Sequence, residues 1–326
     1  MIKSINSIRD SVINLREKGV QSGDTTGFKC LDELYTIKPG TYTIVLGAPT
    51  HGKSEIIFEL LINQAIKHGK KAIILSPETG NAEEITMELV HKYLGKTAYK
   101  SNSFSCDDKE FYEALNWVDY NFAIADDEEK SYSFKELIDE IEKFEKEKKC
   151  VFDNVMAEPW NELNHKLALN DNSGRQDLAI EEELTFLRRY CKTKNKHAFL
   201  SFHPSFQTLV VDKKAGLSYY EMPKAREAAG GQATLRKAFS WINIWRPPVG
   251  LLDSEGYPYS DNQLIIQIEK SKPKGIGKKG FCGLFFDWKK NRYYENINGS
   301  DKFAYEHEIP VNIHNPNAGM SNSNLF

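Results

Sequence analysis

The sequence has little that would tie it to an oxidising compartment, a membrane or a repeat architecture. Its five cysteines (Cys30, Cys106, Cys150, Cys191, Cys282) are odd in number, widely spaced and without a CxxC pair. That spacing offers neither a disulfide framework nor a zinc site and fits a reducing compartment. No apolar run approaches the roughly 18 residues of a membrane span, and MIKSINSIRD lacks the apolar core of a signal peptide. A cytoplasmic protein without a membrane partner is expected. No internal repeat is visible. Charge excess is missing too: 43 Lys and Arg stand against 46 Asp and Glu, net −3, so the averaged surface carries no nucleic-acid signature.

What is present suits a folded core. Hydrophobic content of 40% and aromatic content of 12% exclude disorder and collagen-like repeats. At roughly 150 residues per domain the length allows about two domains, or one large α/β core. The near-neutral total hides a polarity: residues 107–149 carry 15 acids against 7 bases, while residues 188–246 carry 12 bases against 3 acids. Such asymmetry points to a localised anionic partner.

Residues 1–18 place Ile2, Ile5, Ile8, Val12 and Leu15 at steps of three and four, one narrow apolar stripe on a helix. After the linker-like GVQSGDTT, the helix can dock on its own domain or on a neighbouring subunit. From residue 41 a strand (TYTIVLG), a helix (SEIIFELLINQAIKHG) and a second strand (KKAIILS) make a βαβ unit. Helix patterns at 82–94, 108–117, 133–149 and 177–194 alternate with strands at Asn154–Ala157 and His197–Phe202, which predicts a doubly wound, mostly parallel sheet. A polar loop after 203 leads to strand-like segments at 239–246, 263–269 and 281–287, expected to join partly antiparallel. From Gly299 the chain is Asn- and Ser-rich and predicts a mobile tail.

Gly47-Ala48-Pro49-Thr50-His51-Gly52-Lys53-Ser54 matches GxxxxGK[ST] between an apolar strand and an amphipathic helix. In that context backbone N–H groups wrap phosphates, Lys53 reaches the β- and γ-phosphates, and the Ser54 hydroxyl ligates Mg²⁺. ATP and Mg²⁺ are the ligands expected. Glu78, just past the second strand, is a candidate base for the attacking water. A metal-associated acid belongs at the end of a third strand, where Asp153 and Glu158 compete and spacing does not choose. His203, ending the next strand, is a candidate γ-phosphate sensor. Lys213, Lys214, Lys224 and Arg226, interleaved with Tyr219 and Tyr220, suit a single-stranded phosphate backbone.

With these residues in view, the chain from about Thr25 to Tyr294 resembles the RecA-type C-terminal motor domain of DnaB-like replicative helicases, in particular the Twinkle-like group common in phages. The marks are TTGFKCLDELYTIKPG, GKSE at 52–55, LSPETG with HKYLGK at 75–96, EPWNEL at 158–163, FHP at 202–204, GG with Lys237 and RP at 230–247, and GKKG with FDWKKNRY at 277–293. The resemblance implies a RecA-like P-loop NTPase core and a homo-hexameric, ATP-hydrolysing DNA helicase. Such a ring encircles single-stranded DNA, moves 5′ to 3′ and works with a separate primase and polymerase, here in a host cytoplasm if phage-encoded. It maps the metal-associated acid to Glu158, a Glu where relatives carry Asp, and a trans-acting basic pair to Lys270 and Lys272, with Arg246 assisting.

The resemblance also assigns the basic stretch, including Arg236 and Lys237, and the segment Asn170–Arg175 to channel-facing loops, and it favours docking of the first helix on a neighbour. Ser205-Phe206 and Phe239-Ser240 depart from the pattern of relatives. The implied organisation is a linker helix and linker at 1–24, a motor domain at 25–298 and a tail at 299–326. Two other readings of the chain are a RecA-like DNA-dependent ATPase for recombination or packaging, and a non-hydrolysing helicase-loader or partner module.

Overall fold

The computed structural model describes residues 2–101, 105–128, 130–212, 216–273 and 276–306. The chain starts with a 3₁₀ turn at Asn6–Ile8 and helix α1 (Arg9–Lys18), then a short helix α2 (Lys29–Asp32). The expected βαβ unit follows as β1 (Tyr42–Leu46), α3 (Lys53–His68) and β2 (Ala72–Leu75). Next come α4 (Ala82–Leu94), α5 (Asp108–Asn121), β3 (Phe122–Ile124), α6 (Phe134–Lys148) and β4 (Asn154–Ala157). Helices α7 (Lys166–Asp171) and α8 (Gln176–Lys194) lead to β5 (His197–Phe202) and a separate hairpin, β6 (Leu209–Asp212) and β7 (Leu217–Tyr220). The chain continues with α9 (Gly231–Lys237), β8 (Ser240–Trp245), β9 (Gln263–Lys270), β10 (Gly280–Asp287), β11 (Arg292–Ile297) and β12 (Ser300–Phe303).

Local chemistry explains the boundaries. Helices α4, α5 and α6 each start at a capping box, Asn81 with Glu84, Asp107 with Glu110 and Ser133 with Glu136. Each box satisfies backbone donors that the first turn leaves free. Helices α3 and α4 stop at Gly69 and Gly95, both left-handed. Strands β1, β2, β4, β5 and β8 are buried at every residue, as strands covered on both faces must be. Along β9, burial rises at every second residue, so only one face of that strand is fully covered.

Ten strands form one sheet in the order β12-β11-β10-β9-β8-β1-β5-β4-β2-β3. The six from β8 to β3 run parallel, and β9 to β12 add antiparallel, which is the α/β class the sequence predicts. One apolar layer packs α3, α4 and α5 on the sheet through residues such as Phe58, Leu61, Leu89 and Trp117. The other packs α6 and α8 through Ile138, Leu184 and Leu187 with Trp160 and Trp241. No helix among the described residues is long and apolar enough to cross a membrane.

Four expectations need adjusting. Helix α5 runs past residue 117 to Asn121 and passes without a turn residue into the three-residue edge strand β3. The polar loop after 203 contains the β6–β7 hairpin. The tail does not begin at Gly299: β12 pairs with β11, and Ala304 is buried. Residues 307–326 lie outside the described residues. The linker is shorter than GVQSGDTT, because Asp24 pairs with Ile37 and Thr26 is buried, its N–H and hydroxyl donating to Asp32. Asn63 and Gln64 of α3 donate to the carbonyls of Thr26 and Thr25. Helix α1 buries no residue among those described, with Ile5 78% and Leu15 53% exposed, so its stripe does not dock on its own domain.

Candidate nucleotide site

Strand register gathers the site at one edge of the sheet. Leu46 pairs with Phe202 and Asn243, Ala157 with Leu75 and Leu200, so β1, β2, β4, β5 and β8 all deliver their carboxyl ends there, where ligands of open α/β sheets bind. Between β1 and α3 the residues Gly47 to Ser54 form a loop that only glycine permits at two points. A Cβ on Gly47 would meet Ile244 at 2.6 Å. Gly52 has φ +84°, and its Cβ would meet the Tyr293 hydroxyl at 2.8 Å. The amino end of α3 then points free N–H groups and its positive dipole end at the loop.

The expected chemical residues converge here. Lys53 is buried, and its Nζ donates to the Ala48 carbonyl at 3.3 Å and to His203 Nδ1 at 3.2 Å. Burial lowers its pKa, opposed by Glu158 and Glu78. His203 Nε2 lies 2.9 Å from Glu78. An ammonium only donates and a carboxylate only accepts, so this arrangement requires the His203 tautomer protonated on Nε2. Glu78 stays accessible, with 43% of its side chain exposed, and is free to take a hydrogen bond from water.

Ser54 Oγ donates to Glu158, which is 1% exposed. Burial, reinforced by repulsion from Glu78 and Glu55, pushes the Glu158 carboxyl up to about 7 despite the Ser54 hydrogen bond and Lys53. Its second oxygen is buried with no hydrogen-bond partner. A hydroxyl and a carboxylate with an unfilled lone pair, adjoining a phosphate loop, are the hard oxygen donors that Mg²⁺ takes. Asp153, the competing candidate, is at the other end of β4. It pairs with Lys70 at 3.2 Å and accepts from the Lys71 N–H at 3.1 Å, so it cannot reach the loop.

Arg246 is at the site in cis, which revises its expected trans-acting assignment. It follows directly on β8, whose carboxyl end is at the loop, its N–H donates to His51 Nδ1 at 3.3 Å, and its guanidinium reaches the Tyr293 hydroxyl at 3.4 Å. His51 is held down at about 4 by burial, Lys53 and Arg246, and so is neutral at physiological pH. Lys270 and Lys272 are at the opposite edge: β9 runs antiparallel to β8, and Lys270 pairs with Trp241. Lys270 Nζ donates to the carbonyls of Leu235 and, at 3.0 Å, Arg236, closing the end of α9. Burial and Lys272 lower its pKa to about 8.

Of the expected DNA-contacting residues, Lys224 and Arg226 lie at the turn before α9, and Arg236 and Lys237 end α9. Lys213 and Lys214 lie outside the described residues. Lys224 pairs with Glu221 at 3.0 Å, Lys237 donates to Thr185 at 3.2 Å, and both Lys237 and Arg236 approach Glu181, at 3.6 and 3.9 Å. Arg226 is exposed. Asn170 and Asp171 end α7, and Arg175 pairs with Asp177 across the following turn.

Sequence reasoning missed one wall of the site. A cavity of about 890 Å³ extends from Lys53 and Ser54 past Glu78 and His203 to Arg246, Phe286, Trp288 and Asn291. The Arg246 guanidinium stands 5.5 Å from the Trp288 ring and 5.6 Å from that of Phe286, the two rings meeting edge to face at 83°, a cationic and aromatic wall against which an aromatic ring can pack. FDWKKNRY carried these aromatics in plain view. Their approach to Arg246 depends on pairings of β8 with β9 and β9 with β10, which spacing does not disclose.

No protein-family model matches the chain. A Twinkle homolog protein, chloroplastic/mitochondrial, of Arabidopsis thaliana is 26% identical over 203 residues, covering 58% of this chain and 26% of that protein. The alignment therefore spans about a quarter of the relative's length. The ATPase domain of G40P superposes with a TM-score of 0.69 at 17% identity, over 90% of this chain and 99% of that one. A DnaB-like replicative helicase, described with its interactions with primase, gives a TM-score of 0.65 at 17% identity over 90% of this chain and 67% of the other. The chain thus has a RecA-like α/β fold, resembling the ATPase domains of DnaB-like replicative helicases in structure and a Twinkle homolog in sequence.

Proposed function

We propose that this chain is the motor of an ATP-driven DNA helicase, hydrolysing ATP between the subunits of a homo-hexameric ring that moves 5′ to 3′ on single-stranded DNA. The observation that carries the reading is the convergence of Lys53, Ser54, Glu78, Glu158 and His203 at one sheet edge. The loop amides and Lys53 bind the triphosphate, Ser54 and Glu158 hold Mg²⁺, and the base lies against Trp288 and Arg246. Bound Mg²⁺ would neutralise charge between the β- and γ-phosphates. Glu78 accepts a proton from the attacking water, and the His203 link fixes its carboxylate. A phosphate that takes Lys53 away from His203 changes the partner of a residue two positions before Ser205, where the loop to the β6–β7 hairpin starts. That gives binding a route to the DNA-facing segments.

Assembly supplies what one subunit lacks. Lys270 and Lys272, remote from their own phosphate loop, act at a neighbour's, and α1 docks its exposed stripe on a neighbour. Lys224, Arg226, Arg236 and Lys237, with Lys213 and Lys214, contact the DNA backbone. Surface pairs such as Lys224–Glu221 contribute little and yield readily to phosphate. Priming and synthesis fall to separate proteins.

The test is ATP hydrolysis with and without single-stranded DNA, run beside unwinding of forks carrying one 5′ or one 3′ tail. Stimulated hydrolysis, unwinding only with the 5′ tail, and loss of both in Lys53→Ala are expected. Tight ATP binding with negligible turnover on DNA would instead establish the loader reading, and open filaments on DNA in electron micrographs the recombinase reading.

A further inference from the structure

A lysine with no exposed surface must satisfy its ammonium inside the protein, and the groups that do so reveal what it holds together. Lys92, on α4, has 0% exposure. Its Nζ pairs with the Glu55 carboxylate of α3 at 2.6 Å and donates to the Asn291 carbonyl at 2.9 Å. It also faces the rings of Phe286 at 5.3 Å and Tyr293 at 5.9 Å. One charge therefore ties together α4, the helix that follows the phosphate loop, and the turn between β10 and β11. Glu88, one helical turn earlier on α4, accepts from Asn291 Nδ2 at 2.7 Å. Asn291 itself has φ +53°. Within the turn, Asp287 accepts from the N–H groups of Lys289 and Lys290.

The turn's other end carries Trp288, 63% exposed and packed against the Arg246 guanidinium on one wall of the nucleotide cavity. Asp287 and its own hydrogen bonds set the turn's shape, whereas α4 sets its position. We propose that Lys92 is a positioning residue for the nucleobase: by pinning the Asn291 carbonyl to Glu55, it fixes the distance between the Trp288–Arg246 platform and the phosphate loop. This rests on the reading above that the cavity takes a nucleoside triphosphate with its base on that platform. Lys92 touches neither phosphate nor base, so its effect belongs to ligands that carry a base.

Titration calorimetry of the full chain with Mg²⁺, using ATP and inorganic tripolyphosphate as the two probes, separates these contributions. Lys92→Met should weaken ATP about tenfold, near the value of one lost base stack, and change tripolyphosphate by less than about twofold, while Lys92→Arg recovers part of the ATP affinity. Equal weakening of both ligands, which would mean that Lys92 acts through Glu55 on the phosphate loop, overturns the proposal, as does no change in either. Asn291→Gly preserves the left-handed backbone and cuts the second tether. If Lys92→Met does not fold, the same ATP-selective loss in Asn291→Gly supports the turn's role, and an unselective one refutes it. Trp288→Ala tests the underlying reading separately: unchanged ATP affinity there removes the platform, whereas an ATP-selective loss in Trp288→Ala without one in Lys92→Met sinks only the role of Lys92.

Discussion

Replacing Arg292 with Met tests how the antiparallel extension is fastened to the parallel core. Arg292 of β11 and Glu59 of α3 form an ion pair at 3.5 Å, their side chains 4% and 1% exposed. The guanidinium also stacks 3.5 Å from the Tyr305 ring. Removing one partner of a buried pair leaves a charge desolvated without compensation, at a cost of about 3–5 kcal/mol. Lys92 is near enough to favour the Glu59 carboxylate, so the lower end, about 3 kcal/mol, is expected. At about 2–4 °C per kcal/mol, the melting midpoint should fall by about 6–12 °C.

Charge removal at both positions should be milder. Glu59→Gln combined with Arg292→Met removes both charges of this pair and should recover about 1–2 kcal/mol of the loss. The pH dependence has a definite sign. Burial raises the Glu59 carboxyl above its ordinary range, and Arg292 opposes that rise. Without Arg292 the folded state holds the Glu59 proton to higher pH than the unfolded state does. The variant's stability therefore falls as pH rises through that window, and its deficit against the parent shrinks on going from about pH 8 to about pH 5.5. Urea titrations of the three proteins at both pH values make the comparison. A single-variant loss below about 1 kcal/mol, or a deficit indifferent to pH, would falsify the assignment of this pair as a buried charge lock.

Glu78→Gln should bind ATP with little change while kcat drops by about 10²- to 10⁴-fold, the usual contribution of a positioned base; single-turnover kinetics give both numbers. Gly52→Ala forces a side chain into a φ +84° position against Tyr293 and Arg246; nucleotide affinity should fall about tenfold or more, with a stability change of about 1–3 kcal/mol. Equal mixing of Lys53→Ala and Lys272→Ala subunits should restore activity at about a quarter of interfaces if Lys272 acts in trans and subunits exchange freely, whereas no recovery in mixtures shown to exchange would rule that out. Ending the chain at Asn298 removes β12 and Tyr305, whose hydroxyl donates to the carbonyls of Lys92 and Tyr93; denaturant unfolding should register a loss of about 3 kcal/mol.

The parts of the fold legible in the sequence were those whose cause is local. Strands buried on both faces read as unbroken apolar runs, apolar periodicity marked the long helices, and the phosphate loop declared itself by spelling and flanks. Strand β12 was also marked, since Asn298-Gly299 between RYYENI and SDKF is a hairpin turn with both residues at positive φ, but the polar composition beyond it obscured the signal. The Asp153 and Glu158 alternatives were inseparable by spacing, because both border the same short strand; three-dimensional structure puts them at opposite ends. Arg246 and Trp288, 42 positions apart in the chain, meet only through the register of three strands. No periodicity encodes such a meeting.

The bridge between Asp24 and Ile37 gives the chain's first helix a short tether. Only Gly19 to Gly23 lie between the end of α1 and that anchor, and five extended residues span at most about 17 Å. Any surface that covers the exposed stripe must therefore stand close to the amino edge of α2. A partner subunit already held there would meet α1 at an effective concentration in the millimolar range, so lengthening this segment with glycine and serine should weaken assembly.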